Sequence, residues 1–195
     1  MKMNARRLLI LCLILAVSIG FGFAYDGIAT VIEKRSHPIP RELKEILLDC
    51  AEEFGVPETV ILAVVKAESG FVSSKVAADG RVGLMQISPE RLTFVYQSIL
   101  GEEAPNAGLL YDPSTNLRVG TAYLSYLYQR YGMWEAVFAA WHMGEAQTDL
   151  WLADPACLSE QGRLTNIPNR EAQAFVHRLL KLTKAYTSLY YEPTT

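Results

Sequence analysis

The sequence predicts a mainly α fold: one helical domain carried behind an N-terminal hydrophobic helix. Three observations lead there. Half of the 195 residues are hydrophobic and a fifth are charged, enough apolar side chains to bury a core. From residue 41 to residue 190 apolar positions recur at helical spacing, and no long run alternates as a strand would. Gly55, Pro57, Ser88-Pro89, Asp112-Pro113 and Pro168 stand between those runs, where helices stop and start.

The elements follow in chain order. Residues 8–24 (LLILCLILAVSIGFGFA) are 17 uncharged, mostly apolar residues behind Lys2, Arg6 and Arg7. Such a run is a single membrane anchor or a secretory signal. Gly22 and Ala24 offer a cleavage site before Tyr25, but the run exceeds a typical signal core, so an uncleaved anchor is the expectation. Either way the basic flank keeps the N-terminus in the cytoplasm and places the rest at the extracytoplasmic face of the membrane. Residues 25–40 read as a stalk ending in HPIP, whose prolines stop a helix. The domain is expected over 41–191.

Its first helix carries Leu43, Ile46, Leu47, Cys50, Ala51 and Phe54 inward and closes at Gly55. Residues 57–68 are apolar on nearly every side, the mark of a helix buried through the core. Residues 69–87 read as an irregular loop with a small hairpin at Asp79-Gly80. Ser88-Pro89-Glu90 caps a helix reaching about residue 100. Further helices follow over 112–131, with Leu117, Leu124, Leu127 and Tyr131 inward, over 134–143, and from Pro168 to about Tyr190.

Charge and cysteine use exclude several classes. Outside residues 1–24 the chain holds 15 basic against 21 acidic side chains, a net −6 and a poor footprint for nucleic acid. Cys12, Cys50 and Cys157 form no Cys-x-x-Cys and suit neither a zinc site nor a disulfide framework. Cys50 falls on the apolar face of its helix, which favours a buried thiol over a Cys50–Cys157 bridge. A metal held by His142 and Glu145 lacks a third ligand at suitable spacing. No cofactor is implied, and no protein partner can be identified.

The chemistry concentrates at the end of the buried helix, in VILAVVKAESGF (60–71). A carboxyl at Glu68 loses solvation there, which favours its protonated form and suits it to general acid work. A glutamate closing a helix can equally cap a turn or pair with Lys66 or Lys75. Glu68 has company, however. Gly83-Leu84-Met85-Gln86 follows, then DPSTNLRVGTAYL (112–124), AAWHMG (139–144) and IPNREAQAFVHRLL (167–180).

In this order and spacing the blocks resemble the lytic transglycosylases that share the goose-type lysozyme fold. The likeness spans about residues 40–190. Glu68-Ser69 and Gly83-Leu84-Met85-Gln86 match that family's motifs letter for letter. The resemblance implies cleavage of the β-1,4 bond between N-acetylmuramic acid and N-acetylglucosamine in peptidoglycan glycan strands. It implies a 1,6-anhydro product, with Glu68 as the sole acid and base. Ordinary glycosidases use two flanking carboxylates. Here the nearest second acid, Asp79, sits in an Asp-Gly that reads as a turn.

The same resemblance assigns substrate contacts to Ser69, Gly83, Leu84, Met85 and Gln86. Gly83 would let backbone approach a sugar, Met85 would face an acetamido methyl, and Gln86 would pair with the acetamido amide. Ser69 would hold the cleft, or simply close the helix. The third block departs: the family's Ala-Tyr-Asn-x-Gly is here Ala140-Trp141-His142-Met143-Gly144. Trp141 and His142 are expected to line the cleft, with Trp141 deepening an apolar wall around Glu68. The late Glu-Thr-Arg-x-Tyr-Val pattern is altered as well, to Glu171-Ala172-Gln173-Ala174-Phe175-Val176. Two rival readings stay open: a muramidase that uses water, and a peptidoglycan-binding module that has lost turnover.

Overall fold

The computed structural model describes residues 36–191. The apolar run 8–24 and most of the stalk lie outside the described residues. Among the described residues no helix is long and apolar enough to cross a membrane. From Ile39 onward the described chain forms one compact unit.

Seven α-helices build it. After a 3₁₀ turn at Arg41–Leu43 come α1 (Lys44–Phe54), α2 (Glu58–Glu68) and α3 (Pro89–Phe94), which runs on as a π turn over Val95–Leu100. Then follow α4 (Pro113–Tyr131), α5 (Trp134–Met143), α6 (Glu145–Ala153) and α7 (Arg170–Tyr190). Two of the caps, Ser88 and Asp112, are those the sequence marks, and Asn169 adds a third just after Pro168. Ser88 accepts the Arg91 N–H, Asp112 accepts the Thr115 N–H, and Asn169 accepts the Ala172 N–H. Each satisfies a donor that the first helical turn leaves open.

α2 is the pivot. Val60, Ile61, Leu62, Ala63, Val64 and Val65 are all buried, because α7 runs along one side of the helix and α1 covers another. α5, equally apolar, packs between α7, α4 and α6. The all-round apolar pattern of both helices is thus the signature of their central place.

One finding differs from expectation and one agrees with it. α6 was not foreseen: it buries only Thr148 and Trp151 and leaves Leu150 exposed, so it shows almost no apolar stripe. Cys50 and Cys157 are both free and buried, so no bridge joins them. Burial pushes the Cys50 thiol up to about 11 and raises that of Cys157 as well, away from the thiolate form.

Candidate active site

α2 ends at Glu68, and the chain turns away at once. The Ser69 hydroxyl donates to the Val65 carbonyl at 3.1 Å and accepts the Phe71 N–H at 3.1 Å. Phe71 takes a left-handed backbone, φ 71°, which this clamp supports. Ser69 therefore shapes the exit of the helix, and its one hydroxyl proton is engaged there.

The following hairpin returns to the same place. Val76 and Val82 pair antiparallel around the Asp79-Gly80 turn, and Val82 pairs again with Ile87. Lys75 knots these strands of loop together. Its Nζ donates to the Glu68 carbonyl, and its own carbonyl accepts from the Gly83 N–H and from Gln86 Nε2.

The Gly83–Gln86 turn is locked from below by Asn116 of α4, a fully buried side chain. Its Oδ1 accepts the Met85 N–H at 2.8 Å, and its Nδ2 donates to the carbonyls of Val82 and Leu110 at 2.9 and 2.8 Å. A Cβ on Gly83 would lie 2.1 Å from Asn116 Nδ2 and 2.5 Å from the Leu110 carbonyl oxygen. That close approach, with φ 84°, is what requires glycine here. Met85 is wholly buried, with its sulfur seated in the notch left by Gly120 of α4, where a Cβ would stand 2.3 Å away. Leu84 is buried too. Gln86, at φ 51°, donates to the Gly83 and Lys75 carbonyls, and its buried Oε1 has no hydrogen-bond partner among the described residues.

The Glu68 carboxyl itself is 9% exposed. The Trp141 indole N–H donates to its Oε1 at 2.8 Å. Arg81 Nη1 stands 3.5 Å from Oε2. The two donors thus face different oxygens of one carboxyl. Trp141 was expected to deepen an apolar wall around Glu68, and its indole N–H also supplies a directed hydrogen bond.

Behind it, the Arg91 guanidinium lies 4.5 Å from the Tyr123 ring centre and 5.0 Å from that of Trp141, and donates to the Trp141 carbonyl. Desolvation pulls the Arg91 pKa below the usual arginine value, and burial raises that of Tyr123. Arg91 and Tyr123 also line an open cleft of about 300 Å³ with Ser88, Glu90, Phe94 and Glu145.

His142 turns elsewhere. Its ring stacks on Phe175 of α7 at 4.5 Å, and its Nε2 lies 3.8 Å from Glu171. Glu145 bonds Tyr126 and pairs with Arg130.

Sequence reasoning missed Arg81, Arg91 and Asn116. Asn116 stood inside a matching block, but two of its backbone partners lie more than 30 residues away and the third, Leu110, sits in a short 3₁₀ turn before α4. Arg81 follows an Asp-Gly that reads as a plain turn.

The chain is similar to several known proteins. The family model for the Transglycosylase SLT domain matches residues 46–161. The soluble lytic murein transglycosylase of Escherichia coli (strain K12) is 32% identical over 140 residues, covering 69% of this chain and 21% of that protein. The membrane-bound lytic murein transglycosylase C of Yersinia enterocolitica is 34% identical over 103 residues, covering 51% of this chain and 27% of the relative. This chain thus spans about a quarter or less of these relatives' lengths.

Among solved structures, the 70 kDa soluble lytic transglycosylase of Escherichia coli superposes with a TM-score of 0.75 at 24% identity, over 82% of this chain and 26% of that one. An inactive mutant of the lytic transglycosylase Slt from Pseudomonas aeruginosa, glutamine replacing one glutamate, gives 0.71 at 25% identity, over 80% and 25%. The fold is therefore the lysozyme-like one that the motif blocks implied. With more than half of its length inside the family model, the chain belongs to the Transglycosylase SLT domain family.

Proposed function

We propose that this protein is a peptidoglycan lytic transglycosylase, cutting the β-1,4 bond between N-acetylmuramic acid and N-acetylglucosamine with Glu68 as its single acid and base. One observation carries the reading. Glu68 is a buried carboxyl at the end of α2 whose partners among the described residues, Trp141 and Arg81, are donors and not acids. Such a site lacks the paired carboxylates of ordinary glycosidases.

The reaction balances on one carboxyl. Glu68 as the acid gives its proton to the leaving oxygen while the C1–O bond breaks. As the carboxylate it then takes the proton of the C6 hydroxyl as that oxygen bonds C1. The product is the 1,6-anhydro end, and no water is consumed. The Trp141 N–H stabilises the carboxylate between the two transfers, when its charge is greatest.

The remaining residues divide by reach. Gln86, with its Oε1 unpaired, offers an acceptor to an acetamido N–H. Gly83, Leu84, Met85 and Ser69 support that contact by fixing the turn and the helix end. His142 stacks on Phe175 of α7 and makes no contact with the carboxyl. The likeness to lytic murein transglycosylases, both soluble and membrane-bound, supports murein glycan as the substrate. The inactive glutamate-to-glutamine mutant of the Pseudomonas protein supports one glutamate as the centre of that chemistry. The apolar run behind Lys2, Arg6 and Arg7 supports a membrane-anchored domain at the extracytoplasmic face.

The test is mass spectrometry of muropeptides released from purified sacculi by fractionated cells expressing native protein or Glu68→Gln. Anhydro ends should appear with the native protein and sediment with its membrane fraction. The Gln variant keeps the volume but has no proton to give, so release should fall by roughly 100-fold or more. Reducing ends would make the enzyme a hydrolase, and bound but uncut glycan a binding module. Activity in the soluble fraction would make residues 8–24 a cleaved signal.

A further inference from the structure

The two oxygens of Glu68 are held differently. Oε1 accepts the indole N–H of a Trp141 that is 2% exposed. Oε2 faces Arg81 at 3.5 Å, an ion-pair distance too long for a good hydrogen bond. Arg81 stands on the exposed hairpin with a third of its side chain in solvent. It is tethered from the solvent side: its Nε donates to Asp79 Oδ2 at 2.8 Å, and its backbone N–H to Asp79 Oδ1 at 3.2 Å. The Asp79 side chain is 57% exposed.

The other charges around Glu68 are placed otherwise. Lys75 holds the Glu68 carbonyl, not the carboxylate. Arg91 of α3 is fixed on the Trp141 carbonyl and acts on Glu68 only through space. His142 of α5 faces Glu171 of α7. Among the described residues no other ion pair reaches the Glu68 carboxylate.

We propose that Arg81 is a positioning residue that covers Glu68 Oε2 in the free enzyme and must swing off it before that oxygen can pass a proton to the glycosidic oxygen. The proposal rests on the reading of Glu68 as the acid and base of glycan cleavage. With Oε1 fixed in the fold by Trp141, Oε2 is the oxygen left to face substrate, and Arg81 is what covers it. The cation opposes the first proton transfer, which needs the acid, and favours the carboxylate that accepts the second proton. A tethered cation in partial contact with solvent is weakened by salt. Cleavage should therefore respond to pH and ionic strength together.

The experiment uses the full chain in mild detergent, as native protein, Arg81→Gln and Arg81→Lys. The first readout is the NMR signal of the Trp141 indole N–H, assigned by its loss in Trp141→Phe. It follows protonation of Glu68 because Glu68 Oε1 is its acceptor. The second readout is the pH profile of sacculus cleavage. In Arg81→Gln both the indole midpoint and the falling alkaline limb should move to higher pH, because removing a cation favours the protonated carboxyl. Arg81→Lys should recover part of the difference.

Raising the salt from about 0.01 M to about 1 M shortens the screening length from roughly 30 Å to roughly 3 Å. It should move the native midpoint toward that of Arg81→Gln and leave that variant where it is. Identical indole midpoints in native protein and Arg81→Gln at low salt would overturn the proposal. So would a uniform loss of cleavage with an unmoved indole titration, which would make Arg81 only a brace for the hairpin. If the Gln variant does not fold, a native midpoint that ignores salt overturns the proposal equally. If no form cuts glycan while the midpoint still shifts, the coupling of Arg81 to Glu68 stands and the reading of the reaction fails.

Discussion

The hairpin of residues 75–82 and the turn of residues 83–86 are consecutive in the chain, yet they are held by opposite means. The turn is buried, and one side chain, Asn116, ties three of the backbone groups in and around it. The hairpin is open to solvent: Val76 is 55% exposed, and the cation it sends to Glu68 is staked by an exposed aspartate. The letters shared with the transglycosylase family, Gly83 to Gln86, mostly build. The side chains that touch the Glu68 carboxylate, Trp141 and Arg81, lie outside those shared letters. The Gly83–Gln86 motif in this chain is in large part a scaffold, and the side chains on the reactive group come from outside it.

The largest effect should come from breaking the buried side. Asn116→Ala leaves the Met85 N–H and the Leu110 carbonyl buried without their partner; Val82 keeps its bond from the Ile87 N–H. Each unsatisfied group costs about 1–3 kcal/mol. At about 2–4 °C per kcal/mol for a chain of this size, thermal unfolding should begin roughly 5–20 °C lower. Calorimetry of the variant checks this. An unchanged melting temperature would mean that the turn holds itself, and the contrast between the two regions would dissolve.

The second substitution probes the reactive side. Trp141→Phe keeps an aromatic ring against Tyr123 and Arg91 but removes the N–H on Glu68 Oε1. Losing a hydrogen bond to a charged group costs about 1.5–3 kcal/mol. Acting mainly in the transition state, that is roughly a 10- to 150-fold loss of cleavage rate. Melting should change by only a few degrees. Stability lost without rate would assign Trp141 to the scaffold and move it to the other side of the comparison.

How much of this could be read from the sequence follows the same division. The helices around 41–54, 57–68, 112–131, 134–143 and 168–190 were legible because long apolar stripes and caps announce them. α6 was not, since burying Thr148 and Trp151 alone leaves no stripe to read. Glu68 was legible as an acid closing an apolar helix, and Trp141 as its neighbour through the altered third block. Asn116 was hidden because a side chain bonded to distant backbone leaves no mark on the residues it holds. Arg81 was hidden because its role depends on a hairpin returning to the end of α2, and spacing alone does not give that return.

The smallest effect should come from His142, which replaces the asparagine of the family pattern. Its ring stacks on Phe175 with planes 16° apart, and Glu171, its 3.8 Å neighbour, has an 85% exposed side chain. A stacked aromatic pair contributes about 0.5–1.5 kcal/mol, and a polar contact so open to water about 0–1 kcal/mol. His142→Asn should therefore lower the melting temperature by roughly 2–8 °C. Cleavage should stay within about threefold of native, because a change of about 0.65 kcal/mol is already threefold in rate and no contact joins the imidazole to Glu68. Steady-state cleavage of sacculi beside a thermal melt decides it. A tenfold or greater fall in rate with the melt unmoved would show the ring acting on glycan at the rim. The third block would then contribute two side chains to the reaction, where the packing against α7 accounts for one.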